Sequence, residues 1–229
     1  MIRLHVTAEG QTEEKFVKEV LCPHLANFRI VCDVRCVLTS ENKKQHIEYR
    51  GGFRRHKAYD TVRNDIMSWI KEDNHPECRF TTMFDFYALP QDFPGQQQIQ
   101  TKTDKYEKVS LLEAEFNKDI NNCKFIPYIQ LHEFESLIFS DPSYLDWEYL
   151  EHEVAINNLL AVSKQHSNPE LINDGAMTAP SKRIIAEIPE YEGNKTVGAL
   201  IAQKIGLPTL RQKCKHFNSW LTTLEKLAD

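Results

Sequence analysis

The sequence of 229 residues contains no run of about 18 apolar residues, the length that a membrane-spanning helix requires. Its start, at residues 1–6, lacks the long apolar segment of a signal peptide, so we expect a cytoplasmic protein. Glycine and proline are scarce, at 8 and 10 residues. These absences argue against membrane, fibrous and disordered proteins, and a chain that is 41% hydrophobic and 27% charged is typical of a globular protein.

Three motifs with defined chemistry are also missing. There is no Gly-x-x-x-x-Gly-Lys-Ser/Thr loop, so the chain itself does not resemble an ATPase, and there is no His-Glu-x-x-His zinc motif. No Cys-x-x-Cys pair occurs, which leaves little basis for a zinc site. We expect the six cysteines to be small buried residues rather than a disulfide framework: Cys22, Cys32, Cys36, Cys78, Cys123 and Cys214.

Charge is unevenly distributed along the chain. The net charge of −5 argues against a protein that grips long DNA unaided, because such binding depends on neutralising phosphates. Basic residues nevertheless cluster at Arg54, Arg55 and Lys57, and again at Lys182 and Arg183. Both clusters are candidate contacts to nucleic-acid phosphates. The alternative is that each is a solvated basic face.

Apolar periodicity predicts alternating strands and helices up to about residue 140. The first helix is expected to have Thr12 as its N-cap, and Pro23 is expected either to kink it or to start a new turn. The predicted strands are 2–8, 29–38, 79–87 and 124–131. The other helices are expected over 57–71 and near 109–120, 150–164, 181–187, 195–205 and 208–227.

This order predicts an α/β fold with a mainly parallel sheet flanked by helices. Residues 1–140 would form this domain, and residues 141–229 a helical C-terminal region packed on it.

Acidic residues follow three of the predicted strands. Glu9 and Glu13 flank the turn after the first strand, Asp85 follows the third, and Glu133 and Glu135 follow the fourth. Parallel strands present their carboxyl ends at one edge, where open α/β sheets bind ligands. Oxygen-rich sites suit Mg²⁺ or Mn²⁺, which activate water and neutralise charge in phosphoryl transfer. Helix capping, a structural salt bridge and solvated acids are the alternatives.

The acid–glycine turn after strand one and Asp85 after strand three resemble the TOPRIM domain of topoisomerases, primases and overcoming-lysogenization-defect nucleases. More closely, and over nearly its full length, the chain resembles the bacterial domain-of-unknown-function family 4276. The matching stretches are EGQTEEKFV at 9–17, TMFDFYALPQDFPG at 82–95, IQLHEFESLIFSDP at 129–142, APSKRI at 179–184 and HFNSWLTTLE at 216–225. The resemblance implies a TOPRIM-like fold, a partner P-loop ATPase and a role in phage defence.

One position departs from the TOPRIM pattern, since Tyr87 stands where a second aspartate follows in Asp-x-Asp. Two hypotheses follow. In the first, the protein is a Mg²⁺- or Mn²⁺-dependent endonuclease acting on DNA or RNA. Glu9 is then a metal ligand or general base, Asp85 and Glu13 bind metal, and Glu133 or Glu135 completes the ligand set.

In the second hypothesis the protein is a catalytically inactive TOPRIM-like module that binds nucleic acid or a partner protein. An enzyme acting on small phosphorylated substrates is a third possibility. The sequence leaves the oligomeric state and the choice between DNA and RNA open.

Overall fold

The computed structural model describes residues 1–42, 45, 47–53, 59–172, 175, 178–194 and 196–229. Its strands are β1 (Ile2–Ala8), β2 (Ile30–Cys36), β3 (Leu38–Asn42), β4 (Ile47–Arg50), β5 (Cys78–Asp85), β6 (Phe125–Ile126) and β7 (Ile129–Gln130). The main sheet has the order β2-β1-β5-β6, with β7 also paired to β5, and every pairing in it is parallel. β3 and β4 form a separate antiparallel hairpin. The prediction of an α/β fold with a mainly parallel sheet is therefore confirmed.

The helices lie on both faces of this sheet. They are α1 (Gln11–Phe16), continued by a π-helical segment (Val17–Leu21), α2 (Cys22–Ala26), α3 (Tyr59–Glu72), α4 (Lys105–Ile120), α5 (Glu153–Gln165), α6 (Pro180–Glu187), α7 (Val197–Ile205), α8 (Leu207–Lys213) and α9 (Lys215–Glu225). Short 3-10 turns occur at Phe86–Ala88, Gln98–Thr101, Phe134–Ser140, Pro142–Trp147, Pro169–Leu171, Pro189–Tyr191 and Lys226–Ala228. In the part of the chain that the structure describes, no helix is both long enough and apolar enough to cross a membrane.

Two hydrophobic clusters hold the layers together. One joins Leu4 and Val6 of β1 to α1, α2 and the helices that follow residue 150. The other joins Phe80 and Phe84 of β5 to α3 and α4. Because β1 is a central parallel strand, it is buried on both faces, as such strands generally are.

The connections that follow the two central strands, β1 and β5, lead to opposite edges of the sheet. From β1 it passes through α1 and α2 on one face to β2 at the edge, and from β5 it passes through α4 on the other face to β6. β1 and β5 are therefore neighbours whose following helices diverge. Such a switch point, at the carboxyl ends of the strands, is where open α/β sheets bind ligands.

Two local predictions near the N-terminus were wrong. The first helix begins at Gln11 with Gly10 as its N-cap, not with Thr12, because the Glu13 carboxylate accepts a bond from the Gly10 amide and closes the first turn. No strand was predicted between residues 39 and 56, but β3 and β4 form a hairpin there. β3 is mostly polar, and the alternation of apolar and polar residues in β4 covers only four positions.

The later elements also differ in detail from the predictions. The strand predicted over 124–131 consists of the two short strands β6 and β7, which pair with successive parts of β5. Among the described residues after 145, none forms a strand. The division at residue 140 stays a prediction, and Leu137 and Leu145 on its two sides pack in the same hydrophobic cluster.

The cysteine prediction was wrong for one pair, which is disulfide-bonded, and for Cys123, which is not buried. Cys22 of α2 and Cys32 of β2 form a disulfide, since α2 packs directly against the edge strand. Cys36, Cys78 and Cys214 are buried free thiols, and Cys123 is exposed.

Candidate metal centre

Glu9 links the ends of the two central strands. It follows β1, and its Oε2 accepts a hydrogen bond from the Asp85 amide at 2.9 Å. Its own amide donates to the Met83 carbonyl, and its carbonyl accepts from the Gly52 amide at 2.7 Å. These bonds hold the Glu9 side chain at the switch point between β1 and β5.

Glu13 lies in the first turn of α1 and is buried, with a relative exposure of 6%. Its Oε2 accepts a hydrogen bond from the Gly10 amide at 2.8 Å. The carboxylate therefore caps the helix and also faces the cleft that Glu9 lines. Capping, the alternative considered from the sequence, is one of its roles in this fold.

Asp85 ends β5, beside Glu9. Its Oδ1 is buried and accepts no hydrogen bond from the described residues. A buried carboxylate oxygen without a donor costs free energy of folding, on the order of 1–3 kcal/mol or more for a charged group. Such an atom is well placed to accept a bond from a cation that binds in the cleft.

Glu133 and Glu135 enter the same region from β7. His132, with a left-handed φ of 64°, turns the chain after the strand. Glu133 accepts a hydrogen bond from the amide of Ser181 in the first turn of α6. Glu135 accepts one from the hydroxyl of the buried Tyr191 at 3.1 Å. The C-terminal helical region thus supplies donors to two of the five acids.

Gly198 of α7 makes the approach of Tyr191 possible. A Cβ at this position would lie 2.8 Å from the Tyr191 hydroxyl, 3.4 Å from Thr12 Cγ2 and 3.5 Å from Phe134 Cδ1. A glycine therefore lets α7 pack closely against α1 and leaves room for the hydroxyl that contacts Glu135.

Burial raises the pKa of every acid in the group, and repulsion from neighbouring carboxylates adds to this for Glu9, Asp85 and Glu135. The pKa of Glu9 and that of Asp85 lie well above their usual values, first through burial and next through the charge of Glu13 on Glu9 and of Glu9 on Asp85. Burial raises the pKa of Glu13 to about 6. Burial, with repulsion from Glu133 and Glu13, raises the pKa of Glu135 to about 8. Burial also raises the pKa of Glu133.

Two adjoining clefts open over the acids. The larger, of about 640 Å³, is lined by Glu9, Phe53, Asp85, Tyr87, Ala88, Leu89, Gln91 and Glu133. The smaller, of about 290 Å³, is lined by Glu9, Gly10, Gln11, Thr12, Glu13, Arg50, Gly51, Gly52, Asp85 and Glu135. Glu9 and Asp85 are common to both, so they form the boundary between the two clefts.

The predicted basic residues have different positions. Lys182 is exposed, and its charge lowers the pKa of Glu133. Arg183 donates from Nε to the Thr178 carbonyl at 2.8 Å, so it holds the segment before α6. Arg54, Arg55 and Lys57 lie outside the described residues. The phosphate-binding role of all five stays a prediction.

Sequence reasoning did not find three contributors to this centre. Ser181 and Tyr191 contact acids that lie 48 and 56 residues earlier in the chain. Arg50 lines the smaller cleft while its guanidinium pairs with Asp65 at 3.2 Å. No local pattern pointed to these residues, because their contacts depend on how the C-terminal helices and the hairpin pack on the sheet.

A second group of ionisable side chains lies near the amino ends of the same strands. One ligand atom from each of His5, Asp73 and Cys78 lies within 4.8 Å of the others. His5 Nε2 contacts Asp73 Oδ2 at 2.9 Å, and Arg3 donates to Asp73 Oδ1 at 2.9 Å. Here the acid has a guanidinium and an imidazole as partners.

The fold and the site define an α/β protein with a carboxylate-lined candidate metal centre at the switch point of a parallel sheet. The family model described as domain of unknown function DUF4276 matches residues 8–225, so the chain belongs to this family. No curated protein and no solved structure matches the chain.

Proposed function

We propose that the protein is a Mg²⁺- or Mn²⁺-dependent phosphodiesterase that cleaves nucleic acid. The observation that carries this proposal is the convergence of five carboxylates, with the buried Asp85 Oδ1 lacking a hydrogen-bond donor among the described residues. A divalent cation would stabilise the ionised carboxylates, which burial and, in part, mutual repulsion disfavour. Since the candidate ligands are all oxygens, the hard ions Mg²⁺ and Mn²⁺ fit best.

The residues divide into ligands and supporting groups. Glu9 and Asp85 would hold the metal at the boundary of the two clefts, with Glu133 or Glu135 and Glu13 completing the ligand set. When bound, the metal supplies activation of water and neutralisation of phosphate charge. Glu9 lines both clefts, so its carboxylate is also a candidate to accept a proton from the attacking water.

Nucleic acid is the proposed substrate on two grounds. The acid-glycine turn at Glu9 and the strand-end Asp85 resemble the TOPRIM pattern of nucleases that resolve or cleave nucleic acid. The larger cleft, about 640 Å³, also lies in the size range of nucleotide-sized ligand sites. The likeness to overcoming-lysogenization-defect nucleases, the P-loop ATPase partner and the role in phage defence rest on the sequence resemblance alone.

One observation favours the alternative of a binding module without catalysis. Tyr87 occupies the place of the second aspartate, and its side chain cannot coordinate a metal as a carboxylate does. Such a module would bind metal and nucleic acid at the same cleft but leave phosphodiester bonds intact.

The test is cleavage of single-stranded DNA, duplex DNA and RNA by the full chain with Mn²⁺, with Mg²⁺ or with a chelator. We expect cleavage only with metal, together with a rise in melting temperature on metal binding. Glu9→Gln combined with Asp85→Asn should abolish both. Glu153→Gln, at an exposed acid of α5 outside both clefts, is the matched control and should retain both.

Three outcomes decide between the proposals. Metal binding and nucleic-acid binding without cleavage would support the inactive module. A metal response that persists unchanged in the double variant would refute the centre itself. Cleavage that the chelator leaves unchanged would refute metal-dependent hydrolysis.

A further inference from the structure

The larger cleft has two chemically different parts. Its lining includes the carboxylates of Glu9, Asp85 and Glu133 and also the aromatic rings of Phe53 and Tyr87. Phe53 packs edge-on against the buried Phe84, at 4.9 Å between ring centroids. Carboxylates and aromatic rings in one cleft suit a ligand that has both a metal-binding phosphate and a flat, uncharged group.

Tyr87 is the more exposed of these two aromatic residues. It lies in the 3-10 turn after β5, two residues beyond Asp85, and its relative exposure is 43%. Its backbone is fixed, because its amide donates to the His132 carbonyl at 3.0 Å. Its ring packs at 5.1 Å from the His132 ring. Tyr87 is therefore an aromatic residue with a fixed backbone that lines the cleft and keeps a large part of its surface exposed.

Charge in the cleft restricts how a nucleic acid can bind there. Without metal, the carboxylates repel phosphates, and the Arg50 guanidinium in the adjoining cleft is already paired with Asp65. Contacts that do not depend on phosphate charge can add to affinity there. Stacking of a base on an aromatic ring is such a contact, because every base has a π-face and the interaction needs no charge.

We propose that Tyr87 stacks on an unpaired nucleobase, and that the centre therefore acts on single-stranded or flipped-out nucleotides rather than on intact duplex. The inference rests on the proposed function and names its substrate class. In a duplex both faces of each base are covered by neighbouring bases, so a base must leave the stack to reach Tyr87. The position that carries an aspartate ligand in the TOPRIM pattern thus has a base-binding role in this chain.

The test measures stacking directly. A short single-stranded oligonucleotide with the fluorescent base 2-aminopurine at successive positions is bound with Ca²⁺ in place of Mg²⁺ to suppress cleavage. In the wild type we expect fluorescence quenching at a defined position. Tyr87→Ala should abolish this quenching and weaken binding by about 5- to 150-fold, which corresponds to about 1–3 kcal/mol per stacked base. Tyr87→Phe should preserve both.

Controls separate stacking from phosphate contacts and from misfolding. Trp147→Ala removes another exposed aromatic side chain, 63% exposed and outside the cleft, and should change nothing. The loss of binding affinity in Tyr87→Ala should not vary with salt concentration, since no phosphate contact is lost. The rise in melting temperature that Mn²⁺ produces in this variant should equal that of the wild type. A fully paired duplex should bind more weakly, and one unpaired base within it should restore binding.

The outcomes distinguish failure of this inference from failure of the proposed function. Suppose that metal-dependent cleavage is observed. The stacking role is overturned if duplex is cleaved as fast as single strands, or if Tyr87→Ala binds as tightly as the wild type. The proposal of a nuclease is unaffected by either result. If no nucleic acid is bound or cleaved with any metal, both proposals fail. If a mononucleotide binds as tightly as the oligonucleotide, the substrate is a free nucleotide and not a nucleic-acid strand.

Discussion

Acids near the two ends of the central strands differ in their partners and in the direction in which their pKa values shift. Near the amino ends, Asp73 accepts bonds from Arg3 and His5, and a hydrogen bond from the Cys78 thiol contributes most to lowering its pKa to about 2. At the carboxyl ends, Glu9 and Asp85 face other carboxylates, and burial raises the pKa of both. The same sheet therefore holds one acid that is stabilised by partners and a group of acids that destabilise one another.

The difference shows which acids support the fold and which serve another purpose. Asp65, buried on α3, follows the first pattern, since Arg35 and Arg50 both pair with it. Paired acids of this kind help to hold the hairpin and α3 on the sheet. Buried acids that repel one another oppose folding. Strongly shifted pKa values in a cleft are typical of a functional site.

The largest expected effect is on the pH dependence of stability without metal. Burial raises the pKa of Glu13 from 4.5 to about 6, and burial with repulsion raises that of Glu135 from 4.5 to about 8. The folded state then holds more protons than the unfolded state between these values. The free energy of unfolding should fall as pH rises from about 4.5 to about 8, by up to about 1.4 kcal/mol per pH unit for each titrating group.

Denaturant unfolding across this pH range, with a chelator present, checks the prediction. Glu135→Gln should flatten the upper part of the decline, and saturating Mg²⁺ should reduce the decline by binding only the folded state. Stability that instead rises steadily from pH 5 to pH 8 would show that the acids are not a repulsive group.

A smaller effect is expected from matched substitutions at the two ends. Asp73→Asn removes an acid that has partners, so it should lower the free energy of unfolding by about 1 kcal/mol, limited by the partial exposure of the pair. Asp85→Asn removes a repelled charge, so it should raise the free energy of unfolding of the metal-free protein. Chemical denaturation at neutral pH measures both changes. If the free energy of unfolding changes in the same direction in both variants, the two sites do not differ in how their acids affect stability.

The smallest effect concerns the hydroxyl that contacts Glu135. Tyr191→Phe keeps the buried ring but loses the bond of 3.1 Å, so it should weaken Mn²⁺ affinity by about 2- to 10-fold. Gly198→Ala should have a similar or larger effect, because its Cβ would lie 2.8 Å from the hydroxyl. Isothermal titration with Mn²⁺ is the measurement.

Tyr149→Phe is the control, since this hydroxyl makes no hydrogen bond with the described residues and lines neither cleft. Equal affinities for all three variants would mean that Tyr191 does not position Glu135 for metal binding.

The sequence was informative about the sheet and about the acids. Apolar periodicity predicted β1 and most of β5, and it predicted a helix over 57–71, where α3 buries Val62, Ile66 and Trp69. The hairpin of β3 and β4 was missed, because β3 is mostly polar and the alternation in β4 covers only four residues. The disulfide between Cys22 and Cys32 was missed because it depends on the packing of α2 against β2 rather than on spacing.

What the sequence by itself determined is the placement of acids after the strands, since parallel strands end at a common edge whatever packs around them. Only the tertiary structure decided which carboxylate oxygens have donors. Ser181 and Tyr191 reach Glu133 and Glu135 across 48 and 56 residues, while Asp85 Oδ1 is left without a donor from the described residues. Hydrogen bonds act over about 3 Å, so partners so distant in the chain are set by how the C-terminal helices pack and not by any local pattern of residues.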